Sequence, residues 1–406
     1  MAKERAHLAA LDSIRFDQIL VHAEVLAGDA YEGRASGSRG GRAAAAYLVE
    51  RLEAIGVAGG GPDGGYYQVF SGGRRNVLAK FPGADPALAG EWIVVGAHYD
   101  HVGYGNRRTS FGPVGYIHNG ADDNASGVAA LLEVCEALTT TGVRLRRPVL
   151  VAFWDGEEIG MLGSQHWARR PTVPLRDVKL AVNIDMVGRL RNGRLEVAGT
   201  RTGFGLRRLA SVAADDGLWL DFTWELEPNS DHWTFIERRV PTVMLHTGLH
   251  DDYHRPSDDV DLLNVEGIRQ VSRYLFDFVA AAGDVGQLPR YRAGGRAESP
   301  AVQKSRERPL PPLPVGGAPP RVGISWREDP AEPGTVFLTR VAAGSPAESA
   351  GLSVFDRLVR IDGEAFTNSA DFEARLQGSL AAGAEEILLR FERRGRLTSA
   401  VVRPNN

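Results

Sequence analysis

Five short segments of this 406-residue chain gather residues that can bind metal ions. They are His98-Tyr99-Asp100, Gly120-Ala-Asp-Asp-Asn-Ala-Ser-Gly127, Asp155-Gly-Glu-Glu158, Asn183-Ile-Asp185 and Tyr253-His254. Each puts a histidine or carboxylate at or just beyond the end of an apolar run. Together they offer two imidazoles and several carboxylates, the ligand set that two neighbouring hydrolytic metal ions need. Asp122 and Asp123 are adjacent and repel each other unless a cation neutralises them, or one of them caps a helix. In Glu157-Glu158, one carboxylate can bind metal while its neighbour stays free as a base. Zinc lowers the pKa of a water towards ~7, and the free carboxylate can take its proton and later return it. Phe153-Trp154 precede the pair, which makes an exposed, solvated turn less natural there.

The elements that must position these residues are legible as apolar runs bounded by turn-forming residues. Trp92–Ala97, Val149–Trp154, Leu180–Ile184 and Val240–Leu245 read as buried strands, the last with its proline near the start. Helices are expected at Ser126–Leu138, Phe204–Asp216 and Val265–Ala282. A further helix through Ala43–Leu52 is expected to be capped by Ser36 and stopped by Gly56. Non-alternating strands separated by helices predict an α/β fold with a mostly parallel central sheet flanked by helices. In such sheets functional groups collect outside the carboxyl ends of the strands. Four strands thus deliver His98 and Asp100, Glu157 and Glu158, Asp185, and His254 to one edge.

Composition narrows the function. The hydrophobic content of 43% is ample for a core, and the length favours two domains. A formal charge of −4 gives no electrostatic argument for a nucleic-acid or anionic-membrane partner. No run approaches the ~20 apolar residues of a membrane span. The lone cysteine, Cys135, excludes an intramolecular disulfide framework and is expected to be a small buried hydrophobe. Met1-Ala-Lys-Glu-Arg carries no signal-peptide pattern, which taken literally points to the cytoplasm. Residues 284–320, rich in proline and glycine, read as an extended linker between a first domain at 15–283 and a second, β-rich unit at 321–404. Strands in that unit are expected at Val322–Trp326, Thr335–Val341, Arg357–Ile361, Glu386–Glu392 and Ser399–Arg403, with helices at Ser345–Ala350 and Ser369–Gln377.

Residues 15–283 resemble the co-catalytic zinc exopeptidase family that contains bacterial leucyl-type aminopeptidases, glutamate carboxypeptidase II and glutaminyl cyclase, often exported proteins. Tyr31-Glu-Gly-Arg-Ala-Ser-Gly-Ser38 and Ser230-Asp-His-Trp-Thr-Phe235 share the likeness. The resemblance implies two Zn²⁺ ions per chain. His98 and Asp185 would bind one, Glu158 and His254 the other, and Asp123, three residues before the motif serine, would bridge them. Asp100 would hydrogen-bond His98 from behind, and Asp231 would also support the ligands from outside. Glu157 would shuttle the proton, and Tyr253 would stabilise the tetrahedral oxyanion. His118, His232, His246 and His250 are expected in structural or supporting roles, and His7, His22, His101 and His166 in no site.

The C-terminal unit resembles a PDZ domain through Gly344-Ser-Pro-Ala-Glu-Ser-Ala-Gly-Leu352 and Asp356-Arg-Leu-Val-Arg-Ile-Asp-Gly363. The resemblance implies that Val322, Gly323, Ile324 and Ser325 form a loop and edge strand for a peptide C-terminus. The usual Gly-Leu-Gly-Phe loop is absent. The expectation is a di-zinc aminopeptidase acting on peptides. Carboxypeptidase or glutaminyl-cyclase-like chemistry, or an inactive peptide-binding scaffold, are the alternatives.

Overall fold

The computed structural model describes residues 2–140, 142–212, 217–312 and 320–405. Among these, the larger sheet has nine strands: β1 (Ala58–Gly59), β2 (Tyr67–Val69), β3 (Arg75–Phe81), β4 (Trp92–His98), β5 (Val149–Trp154), β6 (Val178–Ile184), β7 (Arg194–Ala198), β8 (Trp219–Asp221) and β9 (Thr242–His246). Their spatial order is β1-β3-β5-β4-β6-β9-β7-β8, with β2 also paired to β3. The four runs expected from the sequence are the middle of this sheet, β5-β4-β6-β9, and they pair in parallel. β3 and β7 join on either side in antiparallel fashion, so the sheet is mixed. β4 and β5 are buried on both faces, which is why their residues do not alternate. Gly96 in β4 lets Trp154 lie against the strand, because a Cβ there would stand 2.3 Å from the indole Nε1.

The helices are α1 (Ala2–Ser13), α2 (Phe16–Leu26), α3 (Arg39–Ala54), α4 (Gly127–Thr139), α5 (Leu162–Arg169), α6 (Leu206–Val212), α7 (His232–Ile236) and α8 (Val265–Asp284). The main core joins one face of the sheet to α1–α4, α6 and α8, and it includes the buried Cys135. A smaller core on the other face packs α5 and α7 around Trp154, Trp167 and Phe235. Helix α3 is capped by Ser38, whose hydroxyl accepts from Gly41 N at 3.1 Å, and not by Ser36, which bonds Arg74 Nε. Gly56, just past the end of α3, takes φ +74°. Helix α6 is shorter than expected at its start, and the rest of the expected helix, 213–216, lies outside the described residues.

The segment after α8 departs from the expected extended linker. Ser299 caps a further helix, α9 (Pro300–Arg306), with proline at its first position. Arg292 N donates to Thr202 O, and the Arg292 guanidinium pairs with Glu298, so this stretch is tied to the first domain. Leu310 N bonds Thr339 O in the second domain, and residues 313–319 of the expected linker lie outside the described residues.

The C-terminal unit comprises β10 (Ile324–Glu328), β11 (Val336–Val341), β12 (Arg357–Ile361), β13 (Glu364–Ala365), β14 (Ile387–Arg393) and β15 (Arg396–Val402), with α10 (Pro346–Ser349) and α11 (Ser369–Ala381). It has its own core around Leu338, Leu358, Phe372 and Ile387. β10 begins at Ile324 and not Val322, because Gly323 at φ +89° turns the chain first. It forms the edge of its sheet.

The two units meet through charged groups. The Arg201 guanidinium lies 3.6 Å over the Trp224 ring and pairs with Glu298 and Asp329, and Arg357 reaches the same Asp329 at 2.6 Å. Arg207 pairs with Glu392 at 2.9 Å. The buried Glu332 carboxyl group accepts from Arg207 N and Arg208 N in the first turn of α6.

Candidate metal centre

Parallel pairing brings the ends of β4, β5 and β6 together. His98 closes β4 opposite Trp154, the last residue of β5. Two residues further on, Gly156 at φ +80° turns the chain so that Glu157 and Glu158 face the edge of the sheet. Asp185 follows the last residue of β6, and His254 comes from the loop after β9. The Gly120–Gly127 turn enters from the side and leads into α4. The Asp123–Asn124 peptide in it is cis.

His98 Nε2 lies 3.3 Å from Asp123 Oδ1 and 3.3 Å from Asp185 Oδ1. His254 Nε2 lies 3.0 Å from Asp123 Oδ2 and 3.1 Å from Glu158 Oε2. Asp123 therefore stands between two imidazole–carboxylate sets, offering one oxygen to each. Within each of the groups His98–Asp123–Asp185 and His101–Asp123–Glu158–His254, the ligand atoms lie within 4.8 Å of one another. This buried imidazole and carboxylate set suits a borderline divalent ion. The residues therefore fit the expected metal.

Charge balance agrees. Burial opposes a charge on His98, but the flanking Asp185 and Asp123 carboxylates override it and hold the imidazole well above its ordinary range. Burial likewise works against Asp123, yet hydrogen bonds from His254 and His98 hold it well below the usual carboxylate value. A divalent cation stabilises the same carboxylates more strongly. Glu157 differs from its neighbour: burial, reinforced by Glu158, Asp231 and Asp185, raises its carboxyl well above the ordinary range. Glu158 falls below it, burial notwithstanding, because His101 and His254 bond it.

Supporting residues are arranged differently from the sequence reading in three respects. Asp100 does not bond the His98 ring through its carboxylate. His98 Nδ1 lies 3.1 Å from the Asp100 main-chain oxygen, while the carboxylate accepts from Glu157 N at 3.0 Å and so fixes the proposed base. Asp231 accepts from Ser164 Oγ, and the residue that touches Asp185 is its neighbour Ser230, at 2.6 Å. His101, given no site, places Nδ1 2.8 Å from Glu158 Oε1. Its place one residue after His98-x-Asp100 was the available signal. Asp122 faces away from the cluster, accepting from Ser126 Oγ and Gly188 N and lying 3.1 Å from His250 Nε2.

Tyr253 stacks on His254 with centroids 3.9 Å apart, and Phe111 closes the same side 5.5 Å from the His254 ring. In the second domain, Val322 O and Gly323 O accept from Ala347 N and Ala342 N, which fixes the loop before β10. Ile324 packs against the domain core, and Ser325 Oγ lies 3.5 Å from an Arg340 guanidinium nitrogen.

Comparison with known proteins places these features. The model of peptidase family M28 matches residues 76–279, and that of the PDZ domain matches residues 316–379. Leupeptin-inactivating enzyme 1 of Streptomyces exfoliatus is 27% identical over 252 residues, 61% of this chain and 49% of that protein. Leucine aminopeptidase 2 of Trichophyton rubrum is 30% identical over 261 residues, 56% of this chain and 49% of its own length. The chain thus spans about half the length of these curated relatives. Among solved structures, the LapA aminopeptidase of Legionella pneumophila superposes with a TM-score of 0.57 at 20% identity, covering 70% of this chain and 75% of that one. Porphyromonas gingivalis glutaminyl cyclase gives a TM-score of 0.54 at 20% identity, covering 65% and 97%. At these identities the solved structures bear on the fold alone. The α/β unit, its strand-end residues and the family match together make the chain a member of peptidase family M28 that also carries a PDZ domain.

Proposed function

We propose that the chain is a di-zinc aminopeptidase that removes N-terminal residues from peptides. The observation that carries this reading is Asp123, whose two oxygens face two separate imidazole–carboxylate sets. His98 and Asp185 would hold one zinc ion, Glu158 and His254 the other, and Asp123 would join them. Bound zinc supplies Lewis acidity towards the scissile carbonyl and acidifies the attacking water. Glu157, held by the Asp100 carboxylate at its main-chain N–H, takes the proton of that water on its free carboxylate and passes it to the leaving amine. Its raised affinity for protons suits a group that must carry one between two steps. Tyr253, whose phenol is kept protonated by burial and the surrounding carboxylates, donates to the oxyanion. His101 donates from Nδ1 to Glu158 and fixes its orientation. The relatives named leucine aminopeptidase support a substrate with a free amino terminus and an apolar first residue.

A substrate panel tests this. The zinc-loaded protein is expected to hydrolyse a leucine anilide and a free N-terminal peptide, and to leave the N-acetylated peptide intact. Cyclisation of an N-terminal glutamine peptide without hydrolysis of the others, or release of residues from the C-terminus, would overturn it.

A further inference from the structure

Arg34 lies before the first strand of the sheet, yet its guanidinium reaches the floor of the metal centre. The side chain is buried, with a relative exposure of 1%. Its Nε donates to Tyr99 O at 2.9 Å, between His98 and Asp100. One terminal nitrogen donates to Asn119 O at 2.6 Å and Leu26 O at 2.7 Å, and the other to Gly120 O at 2.8 Å. Asn119 and Gly120 open the turn that carries Asp123. The main chain adds to this, since Arg34 O accepts from His101 N and Gly33 O from Gly103 N. The local backbone is shaped for this reach: Gly33 and Arg34 both take positive φ, at +64° and +47°, and a Cβ on Gly33 would stand 2.4 Å from His118 O.

These acceptors are all neutral carbonyls. The Asp123, Asp100, Asp258 and Glu158 carboxylates act on Arg34 through their charge, without a hydrogen bond. Burying a guanidinium without a paired carboxylate is costly. An apolar residue of similar volume would leave the four carbonyls that Arg34 joins without this donor. Only a planar fork of donors can join carbonyls from two loops at once, and a lysine ammonium cannot span them.

We propose that Arg34 is a positioning residue for the metal centre, tying the loop of His98 and Asp100 to the turn of Asp123 through their main-chain carbonyls. The inference rests on the metal-centre reading above. Without the clamp the two loops keep their residues but lose their spacing, and misplacement on the order of 1 Å lowers turnover ~10²-fold.

The test compares wild type with Arg34→Lys and Arg34→Met. Measured are the melting temperature without metal, the rise produced by zinc, the visible spectrum of the cobalt(II) form, and kcat and KM separately. Expected are a cobalt spectrum shifted from wild type, zinc affinity lowered ~10–100-fold as for loss of a ligand-orienting partner, and a fall in kcat with KM little changed. Folded variants with wild-type zinc affinity, spectrum and kcat would overturn the clamp alone. Wild-type protein that takes up neither zinc nor cobalt would overturn the metal-centre reading and the clamp with it. Should both variants fail to fold, hydrogen exchange on the wild type decides. Zinc is expected to slow exchange in residues 26–36 together with 99–101 and 119–124, and no response in 26–36 would overturn the proposal.

Discussion

Glu157 and Glu158 are chemically identical neighbours whose surroundings shift them in opposite directions. Glu158 faces His101 and His254, which lower its proton affinity and leave it an anion for a cation. Glu157 is held at its main-chain nitrogen, and its carboxyl is raised by burial and nearby acids. Glu157→Gln is therefore expected to keep wild-type zinc content and to lose ~10²–10⁴ in kcat, the range of a general acid–base group. Zinc analysis beside anilide hydrolysis checks it, and loss of metal would assign Glu157 as a ligand instead. Tyr253→Phe keeps the ring stacked on His254 but removes the hydroxyl. A fall of ~10²–10³ in kcat is expected from loss of one oxyanion donor, read with unchanged zinc content.

The central elements carry these residues because they are buried on both faces and cannot shift register. In β4, Gly96 admits the Trp154 ring, whose Nε1 would meet a Cβ at 2.3 Å. Gly96→Ala is expected to destabilise by ~1–3 kcal/mol through overpacking, seen as a lower denaturant midpoint with unchanged slope. The four parallel strands were legible in the sequence as apolar runs, and the strand-end residues with them. The antiparallel additions were not: Arg75-Asn-Val-Leu-Ala-Lys-Phe81 mixes charged and apolar residues because only its middle is fully buried. His101, Ser230 and Arg34 act across 57, 45 and 65 or more residues of chain, on Glu158, Asp185 and Tyr99. Only His101 has a local signal, its place after His98-x-Asp100, and no local pattern encodes the pairings of Ser230 and Arg34. Ser38 displaced Ser36 as the cap of α3 because Ser36 is engaged by Arg74 across the fold.

At the scale of the molecule, the PDZ domain is docked through buried charges, and this has a pH signature. Burial and the nearby Asp329 raise Glu332 to about 7. Its unfolded value is ~4.3, so between the two the folded state binds more protons, and stability falls as pH rises. Glu332→Gln is expected to flatten the dependence of melting temperature on pH across that window, and a slope equal to wild type would contradict the assignment. Within residues 284–312, helix α9 was not legible in composition, because this stretch is held by contacts: Arg292 with Glu298, and Glu307 with Arg357.

The central claim is that Asp123 joins two zinc ions. Zinc per chain, measured after exhaustive dialysis of wild type and Asp123→Asn, tests it most directly. The account predicts two zinc ions in the wild type and fewer than one in the variant, with the fold retained. One zinc ion or none in the wild type, or two in Asp123→Asn, would contradict it.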